Sequence, residues 1–204
     1  MNNLVNIDPL IKCTEIKNVI NLPVIIRVNK FDDESVEKFS ESMNEAHLTG
    51  QPVIPIVIDS YGGRVHGLFS MAAVIESSKL PVATICVGKA MSCGMALLTC
   101  GSEGYRYISK DSDVLVHDIT YGFFGKDEDI QAEAHYTRRL KNRLFNFIAR
   151  NCGHPADYFL KMIREANNTN VYLSSRQALK HNIVNHIGVP SLTTNIKVET
   201  IFEG

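Results

Sequence analysis

Short continuous apolar runs alternate along this chain with longer stretches whose apolar residues recur at helical spacing, predicting strands and helices in turn. The run at 24–28 (V-I-I-R-V) reads as a strand. Asp32 and Asp33 precede a stretch at 34–47 in which Val36, Phe39, Met43 and Ala46 repeat at helical spacing. An acidic first turn and an aspartate cap favour that helix. Gly50 ends it, and 53–58 (V-I-P-I-V-I) is the next buried strand, with Pro55 removing one ladder donor. A turn at 59–63 (D-S-Y-G-G) leads into an apolar helix over 65–78, with Leu68, Ala72 and Ile75 as its buried stripe.

The chain is organised around 82–101, V-A-T-I-C-V-G-K-A-M-S-C-G-M-A-L-L-T-C-G. Its first part, 82–87, predicts a buried strand of a parallel sheet. Gly88 is expected to break it, and 90–98 to form a buried helix with Ser92 at or near its first turn. Unpaired backbone N–H groups and the positive end of the helix dipole collect there. A serine in that place either caps the helix or carries a hydroxyl close to donors able to hold an oxyanion. Further strands are predicted at 105–108 and 114–117, the second ending on His117. A long helix follows over 128–151, with Ile130, Ala134, Leu140, Leu144 and Ile148 as its apolar face. Next come a helix over 155–166, a polar loop at 167–170, a short helix in S-S-R-Q-A-L-K-H and a strand over 183–189. Residues 1–22 read as an irregular or extended arm, and 191–204 as a tail or edge strand. The order strand–helix–strand–helix–strand implies right-handed crossovers and a parallel α/β sheet, with active groups at the C-terminal ends of its strands. Ser92, His117 and the Gly62-Gly63 turn all fall at such ends.

Composition narrows the field. The chain has 204 residues, 45% of them hydrophobic, enough for one domain spanning 1–204 with a sizeable core. A net charge of −1 without a Lys/Arg cluster argues against nucleic acid as a partner. The five cysteines (Cys13, Cys86, Cys93, Cys100, Cys152) are scattered, odd in number and form no C-x-x-C, which fits reduced thiols in a cytoplasmic protein. No signal pattern or membrane-length apolar run is evident. His181 and His186 are five apart, off a common helix face, so no metal site is expected. No phosphate-binding loop of the Walker type occurs, and no cofactor is expected.

A serine nucleophile needs a base within hydrogen-bond reach, a group that orients the base, and donors for the oxyanion. The runs D-S-Y-G-G, T-I-C-V-G-K-A-M-S-C-G-M-A-L-L, S-D-V-L-V-H and Y-L-S-S-R-Q-A-L-K-H-N-I-V supply candidates in order. Over roughly 53–189 they resemble the proteolytic subunit family of the Clp proteases, ClpP. The resemblance implies a crotonase-like α/β subunit in which Ser92 is the nucleophile and His117 the general base. It further implies an oxyanion hole from the backbone N–H groups of Gly63 and Cys93, and a substrate-docking turn at Ser60, Tyr61 and Gly62. Also implied are a handle-type helix at 128–151, heptameric rings stacked in pairs, peptide or unfolded-protein substrates and an ATP-driven unfoldase as partner.

The chain departs from the family pattern at informative places. Asn170 stands where the family usually has the triad aspartate; it can orient the imidazole but cannot offset its charge. Asp118 and Glu165 are the acids close by in sequence. Tyr61 replaces the proline of the family's Ser-Pro-Gly-Gly turn, and Val171 replaces a basic residue used between rings. The family's N-terminal loop sequence is not visible in 1–22. These departures keep two other readings in view: a catalytically weak or inactive ring subunit with an assembly role, and an acyl-CoA enzyme, since the crotonase fold also builds backbone oxyanion holes.

Overall fold

The computed structural model describes residues 22–167 and 170–193. The predicted arm at 1–22, apart from Leu22, and most of the predicted tail at 191–204 lie outside the described residues. The described residues form seven strands and six helices: β1 (Ile26–Val28), α1 (Asp33–Leu48), β2 (Ile54–Ser60), α2 (Val65–Glu76), β3 (Val82–Met91), α3 (Cys93–Leu98), β4 (Arg106–Ile108), β5 (Asp113–Val116), α4 (Asp127–Asn151), α5 (Tyr158–Glu165), β6 (Val171–Ser174), α6 (Ser175–Lys180) and β7 (His186–Ile187).

The mostly parallel sheet runs β1-β2-β3-β4-β7, and β3 is its pivot. The first half of β3 pairs with β4 at Thr84↔Arg106 through Cys86↔Ile108. Its second half pairs with β5 at Lys89↔Asp113 through Met91↔Leu115. One ten-residue strand thereby serves two partners and carries the sheet on towards β5 and β6.

Three sequence expectations are corrected here. Gly88 does not end the strand. It takes φ +93 and β3 runs on through it, with a register shift in which Ile58↔Cys86 is followed by Ser60↔Ala90. The extra length is accommodated because the Asp59 carboxylate occupies the space a Cβ at Gly88 would need, with Asp59 Oδ1 3.1 Å from that position, and because the Gly88 N–H donates to Ser112 Oγ at 2.7 Å. Second, residues 171–174 form an antiparallel strand on β5, pairing Asp113↔Ser174 through Val116↔Val171, so the sheet is not wholly parallel. Third, only His186–Ile187 of the run at 183–189 is strand. Ile183 and Val184 instead plug the core from a turn that starts with Asn182 at φ 53.

The helices form where the pattern places them. Asp32 caps α1 in a reciprocal capping box with Ser35, and Ser174 caps α6 with Gln177. The apolar face of α4 is buried only at its C-terminal end: Leu144 and Ile148 enter the core, whereas Ile130 is 40% exposed. Phe31, 1% exposed, ties β1 to the glycine turn after β2. Its carbonyl accepts from the Arg64 N–H at 3.2 Å, and a Cβ on Gly67 would lie 2.7 Å from the same oxygen. Gly67→Ala is therefore predicted to destabilise the fold by about 1–3 kcal/mol in urea unfolding. Gly122→Ala, with open space around it, should stay within about 0.5 kcal/mol of wild type.

Candidate active site

The end of β3 and the start of α3 meet at Ser92. It sits at the N-cap position of α3, next to the first helical turn as the sequence suggests, with φ 55 and ψ −117. A serine held at positive φ between a strand and a helix is a strained elbow that exposes its hydroxyl, at a cost of about 1–3 kcal/mol. Neighbouring bonds hold it there. The Ser92 N–H donates to the Leu115 carbonyl at 3.1 Å, and the Ser92 carbonyl accepts from the Ala96 N–H at 3.1 Å.

Gly62 lets the β2 end close on this elbow. A Cβ on Gly62 would sit 2.8 Å from Ser92 Cβ, 3.0 Å from the Met91 carbonyl oxygen and 3.3 Å from the Cys93 nitrogen. Gly94 faces Ser60 less tightly: a Cβ there would lie 3.4 Å from Ser60 Cβ, close to ordinary contact. Ser60 is buried; its hydroxyl donates to the Asn29 carbonyl at 2.8 Å and accepts from the Gly62 N–H at 3.0 Å, shaping the turn from beneath. Tyr61 next to it is 79% exposed. Cys93 packs inward, donating its thiol to the Gly63 carbonyl at 3.2 Å, which ties the start of α3 to the glycine turn. Burial pushes the Cys93 thiol up to about 11, which leaves it a protonated, poor nucleophile. Burial likewise raises Cys86 and Cys152 to about 12.

The other two candidates arrive on the same edge. His117 follows the last residue of β5, and Asn170 precedes the first residue of β6. Because Val116 pairs with Val171 in an antiparallel ladder, continuing the register by one residue sets His117 across from Asn170, with both side chains on one face. Met91 pairs with Leu115, which brings Ser92 alongside the end of β5. No hydrogen bond joins Ser92 to His117, or His117 to Asn170, in this structure. His117 is half-buried, and burial lowers its pKa, opposed by the charge of Asp118. Asp118 is committed elsewhere: Oδ1 accepts from the Ile119 N–H at 2.7 Å, and Oδ2 accepts from Lys141 of α4. Glu165 ends α5 as an exposed side chain.

His181 and His186 have separate surroundings. His181 Nδ1 faces the Tyr158 hydroxyl at 2.7 Å, whereas His186 stacks on Tyr107. No group of three potential metal ligands occurs among the described residues, and no helix among them is long and apolar enough to cross a membrane.

A family model for the Clp protease matches residues 13–191. The chain belongs to the Clp protease family. The match covers the fold from before β1 to beyond β7 and includes every element that meets at the Ser92 elbow. Membership in the Clp protease family implies serine-peptidase chemistry, and the α/β architecture with its mostly parallel sheet agrees with it. Sequence reasoning did not find Phe31 or Lys141 as supports of this region. Phe31 sits in a short polar-flanked connection, and nothing in the spacing of Lys141 points to Asp118.

The surroundings of His117 make a titration prediction. Burial favours the neutral ring, so its midpoint, followed by the ring-proton NMR shifts, should lie below the ordinary histidine value of about 6.5. Asp118→Asn removes the negative charge that opposes this shift and should lower the midpoint further; a rise would contradict the assignment.

Proposed function

We propose that this chain is a ClpP-type serine endopeptidase that cleaves peptides or unfolded proteins through an acyl-enzyme. Ser92 attacks the scissile carbonyl while His117 takes its proton. His117 then returns that proton to the leaving amine, and a water repeats the sequence to release the acid. The N–H groups of Gly63 and Cys93 hold the oxyanion, Cys93 being at the first position of a helix where N–H groups lack intrahelical partners. Tyr61 and Gly62 dock the substrate strand, and Ser60 acts through the turn it braces. Asn170 accepts the Nδ1–H of His117 through its side-chain oxygen and fixes the ring without countering its charge. The observation that carries this reading is the convergence of three chain segments, at the ends of β3 and β5 and the start of β6, beside the Gly62 contact with Ser92.

Assembly belongs to the same proposal. The N-terminal half of α4 is largely exposed on the single chain, with Ile130 on its surface. Burying that half against another subunit fits the handle role that family membership implies. A homo-oligomeric ring, seven-membered and stacked in pairs, an ATP-dependent unfoldase as feeder and a cytoplasmic location follow from the same membership.

A second reading is favoured by one observation, the absence of hydrogen bonds linking Ser92, His117 and Asn170. It makes the chain a weak or inactive ring subunit that assembles with an active paralogue. Turnover of fluorogenic peptides separates the two. In a chymotrypsin-like triad, Asp→Asn costs about 10⁴ in turnover; Asn170→Asp should therefore raise the rate here, by about 10²-fold or more. An unchanged or lower rate counts against Asn170 as the orienting group. His117→Ala should remove activity as completely as Ser92→Ala, since the two act as a unit. A large residual rate in the His117 variant would assign the base elsewhere.

A further inference from the structure

A base that takes the Ser92 proton becomes an imidazolium, and His117 would form that charge at a half-buried place, where desolvation penalises it. Asn170, set across from it by the β5–β6 register, offers a dipole and no charge. The neighbouring elements bring few ionisable groups. β3 brings Met91 and Ser92, and β6 brings Val171 and, one row along, the Tyr172 phenol, none of them an anion. The segment after the ring brings Asp118 and Tyr121, and α4 brings Arg138 and Lys141. These four line one cleft of about 190 Å³.

Asp118 is the anion of this set. It follows His117 directly, and its charge favours the protonated ring where burial opposes it. Its carboxylate is held at both oxygens: Oδ1 accepts from the Ile119 N–H at 2.7 Å, and Oδ2 accepts from Lys141 Nζ. Both members of the ion pair are partly exposed, so solvent screens their fields. An ammonium bonded to a carboxylate cancels part of the field that the carboxylate casts on a third group. Asp118 is the charge that acts on the ring, so Lys141 works through it.

We propose that Asp118 is the counter-charge for the His117 imidazolium, standing in for the carboxylate absent at 170, and that Lys141 is a positioning residue that pins and partly neutralises it. This rests on the peptidase reading, with His117 as base, but the protonation of His117 can be followed without turnover. The test uses the full chain and the NMR shifts of its histidine ring protons, assigned by their loss in His117→Ala. Turnover of fluorogenic peptides is measured beside them, on the high-pH plateau. Lys141→Met should raise the His117 midpoint and speed turnover about two- to fivefold, the range of a partly exposed charge pair. Asp118→Asn should lower the midpoint and slow turnover by a similar factor. Adding Lys141→Met to Asp118→Asn should move the midpoint no further, while Lys141→Arg keeps the wild-type behaviour. With Asn170→Asp in place, Asp118→Asn should cost less than about twofold, because a bonded carboxylate then supplies the charge.

A midpoint that Lys141→Met leaves unmoved or lowers overturns the proposal. So does a Lys141→Met effect on the midpoint that persists in the Asp118→Asn chain. A merely structural brace would change turnover without this ordered movement of the midpoint, and that outcome also counts against it. Midpoints that move as stated in a chain with no turnover support the charge coupling and refute the peptidase reading. Turnover with a midpoint indifferent to both residues does the reverse.

Discussion

The contact on which the site depends is backbone against side chain: the Gly62 turn pressed onto the Ser92 elbow. The end of β2 and the β3–α3 junction approach so closely that a single methyl group at Gly62 would fall 2.8 Å from Ser92 Cβ. Ser60 braces the turn from the core, Phe31 holds its far side, and Gly94 lets α3 seat against β2. These constraints keep a serine at positive φ, a conformation an L-residue adopts only where surrounding structure imposes it. Loss of any one would remove a constraint on that backbone geometry.

The remaining candidates reach the elbow through sheet register. The division of β3 between β4 and β5 carries the sheet past Gly88, and β6 then adds antiparallel to β5. Without that reversal, Asn170 would emerge at the wrong end of its strand. The ion pair between Asp118 and Lys141 fastens the segment after His117 to α4. The helix that carries the proposed handle role is thus tied to the residue beside the proposed base.

Much of this was legible in the sequence. The helix over Asp33–Leu48 announces itself by its aspartate cap and its Phe39–Met43–Ala46 stripe, and β2, α2 and α4 follow from equally regular periods. The Ser and His motifs, with the glycine turn, were enough to suggest the Clp protease family. What escaped was set by tertiary pairing. Gly88 looks like a strand breaker until Asp59 and Ser112 give its unusual backbone a place. The alternation in V-Y-L-S is too short to signal a strand without β5 beside it. Ile183 and Val184 have the composition of a strand but serve as core plugs in a turn. The apolar face of α4 has the right period, yet Ile130 at its N-terminal end stays 40% exposed among the described residues.

The central claim is that Ser92 is a nucleophile held in place by the Gly62 turn. Its most direct test is the adduct formed with a fluorophosphonate, mapped by peptide mass spectrometry, in the wild type and in a folded Gly62→Ala variant. The account predicts modification at Ser92 in the wild type and a labelling rate lower by about tenfold or more in the variant, the scale of losing a positioned geometry. A wild-type chain that folds and assembles yet gives no Ser92 adduct on long incubation, or a Gly62→Ala variant labelled at the wild-type rate, would contradict it.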